Sequence, residues 1–386
     1  SSIYAQTDAP PRPAPRKQAK GEVKRILALN PGSTSIKIAL FENEVQCRDI
    51  ELAATIPTRQ TPDERKHEAT RLATLVRDTL KEWNINRIDA IAARGGFLPV
   101  PPEKLAAGVY TVNENMVNAL IEAPSLNHAS NLAIPVAAAI APEQDIPVFT
   151  VDPVVADEFC PEAETSGYAP VKRRSVAHTL SIRAAVRHAA KAIERPVENI
   201  NLVAAHLGGG ITIAAVRQGK VIDNTIALLG GGPFTPQRAG QLPTAALIEL
   251  CYSGNFTKPE LIEELTKRGG LQSYLGEHRM EIIEERIADG DQAAKDAVAA
   301  MVYQIAKDIG AMYAALGSDV EAIVLTGGLA RSKYICKALR RQVNRLAPVL
   351  TYPGSLEMEA LAAGAAAALS GEVIPKDYPW RNSHAG

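Results

Sequence analysis

The chain has 386 residues, of which 46% are hydrophobic and 22% are charged, and its formal net charge is −1 at pH 7. This is the composition of a globular protein, and the length is enough for two domains with large cores. No apolar run approaches the roughly 18 residues that a membrane helix needs, and the small net charge argues against an electrostatic footprint for nucleic acid or anionic lipid. We therefore predict a soluble protein that acts on small molecules.

The amino-terminal residues and the cysteines bear on processing and compartment. Residues 1–23 are rich in proline and are predicted to be a disordered leader, which lacks the apolar segment of a secretory signal. Four cysteines occur far apart, with no CxxC pair and no zinc-ligand spacing. Free thiols, and hence a reducing cytoplasm, are the simplest interpretation.

The first predicted element is a β-hairpin over residues 24–41, in which two apolar runs flank the sequence NPGSTSIK. A similar arrangement recurs at residues 202–216, around the sequence HLGGG. Turns of small residues expose backbone N–H groups and hydroxyls that can hold phosphate oxygens, although each turn alone is as well explained by a simple hairpin connection. The residues predicted to contact phosphate in these turns are Ser33, Ser35, Lys37, His206, Gly208, Gly209 and Gly210.

Between the two hairpins the pattern alternates. A helix is predicted from Thr61 to about Asn84, a strand over 88–93 that leads into Arg94, loops and short helices over 97–135, and a strand over 146–152 that ends in Asp152. A further helix is predicted over 179–193.

The carboxyl-terminal half continues with a long helix over 292–316 and a strand over 321–326, followed by Gly327 and Gly328 as a third phosphate-facing turn. The alternation predicts a mixed α/β fold that is built twice. Neither GxxxxGK[ST] nor a GxGxxG that opens a helix after the first strand is present, which argues against the Walker and Rossmann types of nucleotide site.

Five polar residues, four at element boundaries and one in a glycine- and proline-rich loop, could serve phosphoryl transfer, which requires cations and donors around the transferred group. They are Arg94, Arg238, His128, His178 and Asp152. The alternatives are a domain salt bridge or a solvated loop for the arginines, a satisfied core group for the histidines, and a helix cap for Asp152. Glu357 and Glu359 lie near a predicted helix start, where a carboxylate either caps the helix or reaches Mg²⁺ through water.

Eight of these motifs, in order between about residues 25 and 372, resemble the butyrate kinase branch of the acetate kinase family. The motifs are LNPGSTSIK at 29–37, ARGG at 93–96, HASNL at 128–132, VDPVV at 151–155, HLGGG at 206–210, GPFTPQRAG at 232–240, LTGG at 325–328 and YPGSLEMEAL at 352–361.

The resemblance implies two ribonuclease-H-like domains of the acetate kinase, sugar kinase, chaperone and actin superfamily, usually in a homodimer. The amino-terminal domain is predicted over 24–150 and the nucleotide-binding domain over 151–359, with a helix over 360–386 packing back on the first domain. The implied reaction is ATP plus butanoate, or a branched-chain fatty acid, giving ADP and an acyl phosphate with Mg²⁺.

The resemblance also implies a role for each site residue. Asn30 and Glu359 correspond to the magnesium site, Arg94 and His128 to the carboxylate site, and His178 and Arg238 to the groups that stabilise the transition state. Asp152 corresponds to the residue that orients an arginine or a metal-bound water. Lys37 and the glycines at 208–210 correspond to the phosphate cradle.

One segment departs from the family pattern. Residues 276–281 read GEHRME where relatives usually have GTNDxR, so the ribose and adenine contacts of the nucleotide are open. The alternatives that remain are an acetate or propionate kinase, an ATP-driven binding protein of the same superfamily, and a catalytically weakened member.

Overall fold

The computed structural model describes residues 23–57, 60–100, 104–317 and 319–379. Residues 1–22 of the predicted leader and residues 380–386 of the predicted last helix lie outside this range. Within it, no helix is both long and apolar enough to cross a membrane.

The amino-terminal sheet has six strands in the order β3-β2-β1-β4-β6-β5. Their bounds are β1 Arg25–Pro31, β2 Ser35–Glu42, β3 Val45–Ala53, β4 Ala90–Ala93, β5 Val109–Thr111 and β6 Val148–Val151. The first three strands are antiparallel, whereas β4 and β6 run parallel to β1. Helices α1 (Pro62–Glu82), α2 (Glu114–Glu122) and α3 (Ala133–Ile140) accompany this sheet.

The second sheet has five strands and repeats this plan in the order β11-β10-β7-β8-β9. The strands are β7 Leu202–Leu207, β8 Ile211–Arg217, β9 Lys220–Asn224, β10 Ala322–Gly327 and β11 Val349–Pro353. As in the first sheet, a three-stranded antiparallel meander is followed by two strands parallel to its first strand. The duplication predicted from the two hairpins is therefore confirmed.

The remaining helices follow in chain order. They are α4 Pro161–Glu164, α5 Thr179–Ile193, α6 Thr244–Tyr252, α7 Lys258–Lys267, α8 Gly270–Leu275, α9 Met280–Ala288, α10 Gln292–Leu316, α11 Lys333–Val343 and α12 Glu357–Ser370. The bounds predicted for α5 and α10 are confirmed.

Local sequence explains where α1 begins and ends. The Thr61 hydroxyl accepts a hydrogen bond from the Glu64 N–H at 3.2 Å, and the Glu64 carboxylate accepts one from the Thr61 N–H at 2.6 Å. This reciprocal cap satisfies two otherwise unpaired donors, and Pro62 at the first helical position lacks an N–H that would need a partner. Asn84 follows the helix in the left-handed conformation, with a φ of 56°.

Helices α5 and α12 lie between the two sheets. Leu180 and Ala184 of α5 share a core with the first sheet and with α12, while Ile182 and Val186 pack into a core with the second sheet. The same helix thus joins both halves. The domain boundary at residue 150 stays a prediction, although the first sheet does end at Val151.

Two predicted elements need correction. The last helix runs over Glu357–Ser370, so it begins earlier than residue 360 and ends earlier than 386, because Gly371 caps it in the left-handed conformation with a φ of 78°. It does contact strands of the first sheet, as predicted. The segment 97–135 contains strand β5 besides its helices, and this strand forms because its backbone pairs with β6.

Candidate active site

A buried polar cluster joins the end of β1, the end of β4 and the start of α12. The side-chain amide nitrogen of Asn30 donates to the Glu357 carboxylate at 2.8 Å, and Arg94 Nη1 lies 3.2 Å from both Asn30 Oδ1 and the Glu357 carboxylate. Burial disfavours ionisation of Glu357, but Arg94, His206 and Asn30 outweigh it, so the pKa of this carboxyl lies below its ordinary value. The cluster therefore holds a carboxylate anion beside a guanidinium.

Glu359, predicted to share a magnesium site with Asn30, lies elsewhere. Its carboxylate is about half exposed and contacts His188 Nε2 of α5 at 2.6 Å. Side chains two positions apart on a helix are rotated by about 200° about its axis, so Glu357 and Glu359 lie on opposite faces and cannot face the same cleft. The acidic partner of Asn30 is Glu357.

His178 and His206 form a stacked pair, with ring centroids 4.0 Å apart and an interplanar angle of 13°. Nδ1 of His178 lies 2.8 Å from the Thr212 hydroxyl, and Nδ1 of His206 lies 3.0 Å from the Ser181 hydroxyl. Burial is the main cause that lowers both pKa values, that of His206 to about 4 and that of His178 well below its ordinary value. Both rings are therefore uncharged at neutral pH.

Arg238 extends over the second glycine turn. Its Nη1 donates to the Ala227 carbonyl at 2.6 Å, and burial lowers the pKa of its guanidinium without removing its charge. A Cβ atom at Gly210 would clash with this guanidinium and would lie 2.9 Å from His178 Cε1. Glycine at this position thus allows Arg238 and His178 to meet over the turn.

His128 lies in the same electrostatic neighbourhood. Its Nδ1 accepts a hydrogen bond from the Ser130 N–H at 3.1 Å, and its ring is tilted against Phe97 with centroids 5.4 Å apart. Burial, followed by the positive charges of Arg94 and Arg238, lowers its pKa to about 4. His128 is therefore a neutral group near two arginines.

Asp152 is 3% exposed and follows β6 in a left-handed backbone conformation with a φ of 43°. Its carboxylate accepts from the Gly108 N–H at 2.7 Å and lies 3.0 Å from Arg183 Nε of α5. Asp152 also lines a small cavity together with Arg94, His178 and Glu357. The arginine that it contacts directly is Arg183, which was not a predicted site residue.

The first small-residue turn contributes mainly through Lys37. Lys37 is directly opposite Asn30 in the β1–β2 pair, and its charge helps to lower the pKa of Glu357. The Ser35 hydroxyl instead donates to Glu51 at 2.5 Å on the exposed side of the sheet, and the Ser33 carbonyl accepts from the Ile56 N–H. The two serine side chains show no contact with the cluster around Arg94.

The other glycines lie at the carboxyl ends of β7 and β10. The Gly208 N–H donates to the Gly210 carbonyl, and the Gly209 carbonyl accepts from the Thr235 hydroxyl at 2.7 Å. Gly327 has a φ of 91°, and a Cβ there would clash with the backbone of Leu207. Gly328 has open space at its Cβ position.

An apolar cavity of about 430 Å³ adjoins this cleft. The apolar residues that line it are Phe97, Val100, Leu126, Val155, Val176, Leu228 and Leu229. Phe97 contacts His128, and Val176 is two residues before His178. Ser125, Asp157, Arg174 and Ser175 complete the lining, and Phe97 connects the cavity to the surroundings of His128.

The segment that departs from the family pattern is closed on itself. The Glu277 carboxylate accepts from Arg279 Nη2 at 2.7 Å and from the backbone N–H groups of His278 and Arg279 at 2.8 Å each. The Arg279 side chain is the first cause of a pKa for Glu277 of about 2. These charges therefore neutralise each other within the loop.

Within the described ranges, no group of three or more His, Cys, Asp or Glu side chains is arranged to hold a metal ion. The side-chain oxygens that could serve as metal ligands near Arg94 are Asn30 Oδ1 and the Glu357 carboxylate. Mg²⁺ usually keeps several waters and takes one or two carboxylates together with substrate phosphates. This donor set is compatible with Mg²⁺ that arrives with a nucleotide.

The paired sheets, each with its meander and parallel strands, form the fold that is seen in solved structures of carboxylate kinases. A propionate kinase from Francisella tularensis subsp. tularensis SCHU S4 is similar in structure, with a TM-score of 0.71 and 19% identity over 88% of this chain and 98% of that chain. An acetate kinase from Porphyromonas gingivalis has a TM-score of 0.71 and 19% identity over 90% and 99%, respectively. An acetate kinase from Entamoeba histolytica has a TM-score of 0.69 and 18% identity over 88% and 98%.

The sequence itself identifies the family. The model of the Acetokinase family matches residues 116–348. This is more than half of the chain, and the protein belongs to this family.

Three residues of the cleft were not predicted from the sequence: Thr212, Ser181 and Arg183. Thr212 could have been found from the hairpin, because it is directly opposite His206 in the β7–β8 register. The contacts of Ser181 and Arg183 depend on how α5 packs between the sheets, for which the sequence contains no local signal.

Proposed function

We propose that the protein is a short-chain carboxylate kinase that converts ATP and butyrate, or a branched-chain fatty acid, into ADP and an acyl phosphate. The observation that carries this proposal is the convergence of Arg94, His178, Arg238 and Glu357 next to an apolar cavity. Membership of the Acetokinase family supports the reaction class.

The proposed carboxylate site is the guanidinium of Arg94. Of its five N–H donors, those on Nη1 contact Asn30 and Glu357 within the described part of the chain. The remaining donors are available for a bidentate pair with a substrate carboxylate. His128, a neutral ring beside Arg94, would contact the same group.

The proposed transfer is direct and in line. A carboxylate oxygen attacks the γ-phosphorus of ATP, the new P–O bond forms as the bond to ADP breaks, and no proton has to be removed from the nucleophile at pH 7. Arg238 and His178 would stabilise the charge on the transferred oxygens, so catalysis depends on position and electrostatics. Mg²⁺ bound near Asn30 and Glu357, close to Lys37, would neutralise charge on the nucleotide phosphates.

The apolar cavity supports an acyl chain longer than that of acetate. Its volume is about 430 Å³, and seven of the eleven residues that line it are apolar. The alternative is a preference for acetate or propionate. It is supported by the similarity to a propionate kinase and to an acetate kinase.

We propose domains over 24–150 and 151–359, a cytoplasmic location and a homodimer. Helix α6 offers an apolar surface for a second copy, since none of its residues is buried and Tyr252 is 87% exposed. Nucleotide preference is open at the loop 276–281.

The test is a hydroxamate assay with ATP, Mg²⁺ and a series of acids from acetate to isovalerate. The proposal expects the largest kcat/KM with four- or five-carbon acids. A preference for acetate would favour the alternative substrate, whereas no hydroxamate from any acid would favour an ATP-driven binding protein. ATP, GTP and pyrophosphate are compared in the same assay.

A further inference from the structure

The Thr212 hydroxyl lies where it can control the His178 ring. Thr212 and His206 are paired directly across β7 and β8, so their side chains share one face of the sheet. His178 stacks on His206, and its Nδ1 reaches the Thr212 hydroxyl at 2.8 Å. Thr212 has no exposed surface, so water does not compete for this contact.

The hydrogen-bonding capacity of Thr212 determines which atom donates. A threonine hydroxyl has one hydrogen and two lone pairs. The backbone N–H of His178 donates to one lone pair of the Thr212 oxygen at 3.4 Å. Among the described residues, the only acceptor within bonding distance of this hydroxyl is His178 Nδ1. If Nδ1 carried the proton, the buried hydroxyl hydrogen would be left without a partner, which is costly.

We infer that Thr212 is a positioning residue that holds His178 as the Nε2–H tautomer, with the N–H turned toward the transferred phosphoryl group. Cε1, which is bonded to both ring nitrogens, lies next to Gly210 beside Arg238, and because Nδ1 is engaged by Thr212, Nε2 is the ring nitrogen that is left to donate. The ring would then act as a hydrogen-bond donor of fixed direction. The functional part of this inference rests on the proposed kinase activity.

The other two histidines of the cleft follow the same pattern. His128 Nδ1 accepts a backbone N–H from Ser130, which requires an unprotonated Nδ1. His206 Nδ1 faces the Ser181 hydroxyl at 3.0 Å. All three rings thus direct Nδ1 toward the protein framework. Burial is the main cause that lowers the pKa of His178. Four nearby groups lower this pKa further and so favour the uncharged ring: His206, Arg238, Arg94 and His128.

The first test does not depend on activity. In full-length protein labelled with ¹⁵N-histidine, long-range ¹H–¹⁵N spectra at pH 7 report the tautomer of each ring, and His178→Gln identifies the His178 signals. We expect His178 to be protonated at Nε2 alone. A signal from an Nδ1–H tautomer or an imidazolium would overturn the inference, even if acyl phosphate is made.

The second test compares three variants. Thr212→Val removes the hydroxyl at nearly constant shape, and we expect a mixture of tautomers together with a kcat that is lower by about tenfold, with KM changed by less than about twofold. Thr212→Ser keeps the hydroxyl and should restore both the tautomer and kcat. Thr225→Val is the matched control, because the buried Thr225 hydroxyl accepts the Ile213 N–H in the same sheet without contacting a histidine.

The outcomes separate the two claims. An unchanged tautomer and unchanged kcat in Thr212→Val, or an equal loss of kcat in Thr225→Val, would overturn the positioning role. If Thr212→Val does not fold, the wild-type spectrum and Thr212→Ser still decide. If no acid yields acyl phosphate, the proposed function fails while the tautomer prediction is still tested by the spectrum.

Discussion

Replacing Glu357 by glutamine tests the cluster around Arg94 while changing little but charge. A glutamine carbonyl can still accept from the Asn30 amide, so the main loss is the ion pair with Arg94 at 3.2 Å. Removing one partner of a fully buried pair costs about 3–5 kcal/mol. Because the Arg94 side chain is 25% exposed and keeps some hydration, we expect a smaller loss of about 2 kcal/mol.

This free energy corresponds to a small shift in melting temperature. With an unfolding entropy of about 2.1 cal/mol/K per residue, the shift for the residues described in this structure is about 2–3 °C at pH 7. The pKa of Glu357 is lowered by folding, so its stabilisation is present above the ordinary value of 4.5 and is lost as the pH falls through the folded value. The difference in Tm between wild type and Glu357→Gln should therefore shrink in acid.

The same variant should weaken the response to magnesium. If Glu357 acts on Mg²⁺ directly or through water, the Mg²⁺ concentration for half-maximal activity should rise by about tenfold or more. Glu359→Gln is the control, since this exposed residue lies two positions away on α12. Equal effects of the two substitutions, or an unchanged magnesium response in Glu357→Gln, would refute this account of the cluster.

Three further predictions concern catalysis, specificity and folding. Arg238→Ala should lower kcat by about 10³-fold or more, as removal of an arginine from a phosphoryl-transfer site does. The control is Arg268→Ala, which changes an exposed arginine. Near-normal turnover of Arg238→Ala, or an equal loss in the control, would remove Arg238 from the mechanism. Leu228→Trp fills the apolar cavity and should lower kcat/KM for isovalerate more than for acetate. The volume-conserving Leu228→Met should not. Equal losses of kcat/KM for both acids would show that the cavity does not bind the acyl chain. Thr61→Ala removes the cap of α1 and should lower the free energy of unfolding by about 1 kcal/mol, with kcat unchanged. Thermal unfolding and the hydroxamate assay measure the two quantities. No loss of stability would contradict the cap's contribution.

Much of the fold could be predicted because its signals are local. The two hairpins combine apolar runs with small-residue turns, and α10 has an apolar face that repeats at helical spacing over its full length. Strand β5 was missed because three residues carry almost no periodic signal. It forms by pairing Val109–Thr111 with Val151–Phe149 of β6, about 40 positions later in the chain.

The site was harder to predict than the fold because its contacts join distant segments. Asn30 and Glu357 are 327 positions apart, and the choice between Glu357 and Glu359 depends on the rotation of α12 about its axis. That rotation is set by packing of α12 on the first sheet, since residues such as Leu361 and Ala365 must face the core. Roles in catalysis depend in addition on a bound substrate, and they stay proposals.

The central claim is that a substrate carboxylate oxygen attacks the γ-phosphorus of ATP. It is tested most directly with butyrate labelled with ¹⁸O in both carboxylate oxygens, in the presence of ATP, Mg²⁺ and hydroxylamine. Hydroxylamine attacks the acyl carbon and releases phosphate that keeps the bridging oxygen. The account predicts one ¹⁸O atom in the released phosphate, seen as an isotope shift in the ³¹P spectrum; phosphate without ¹⁸O would show transfer to water and would contradict it.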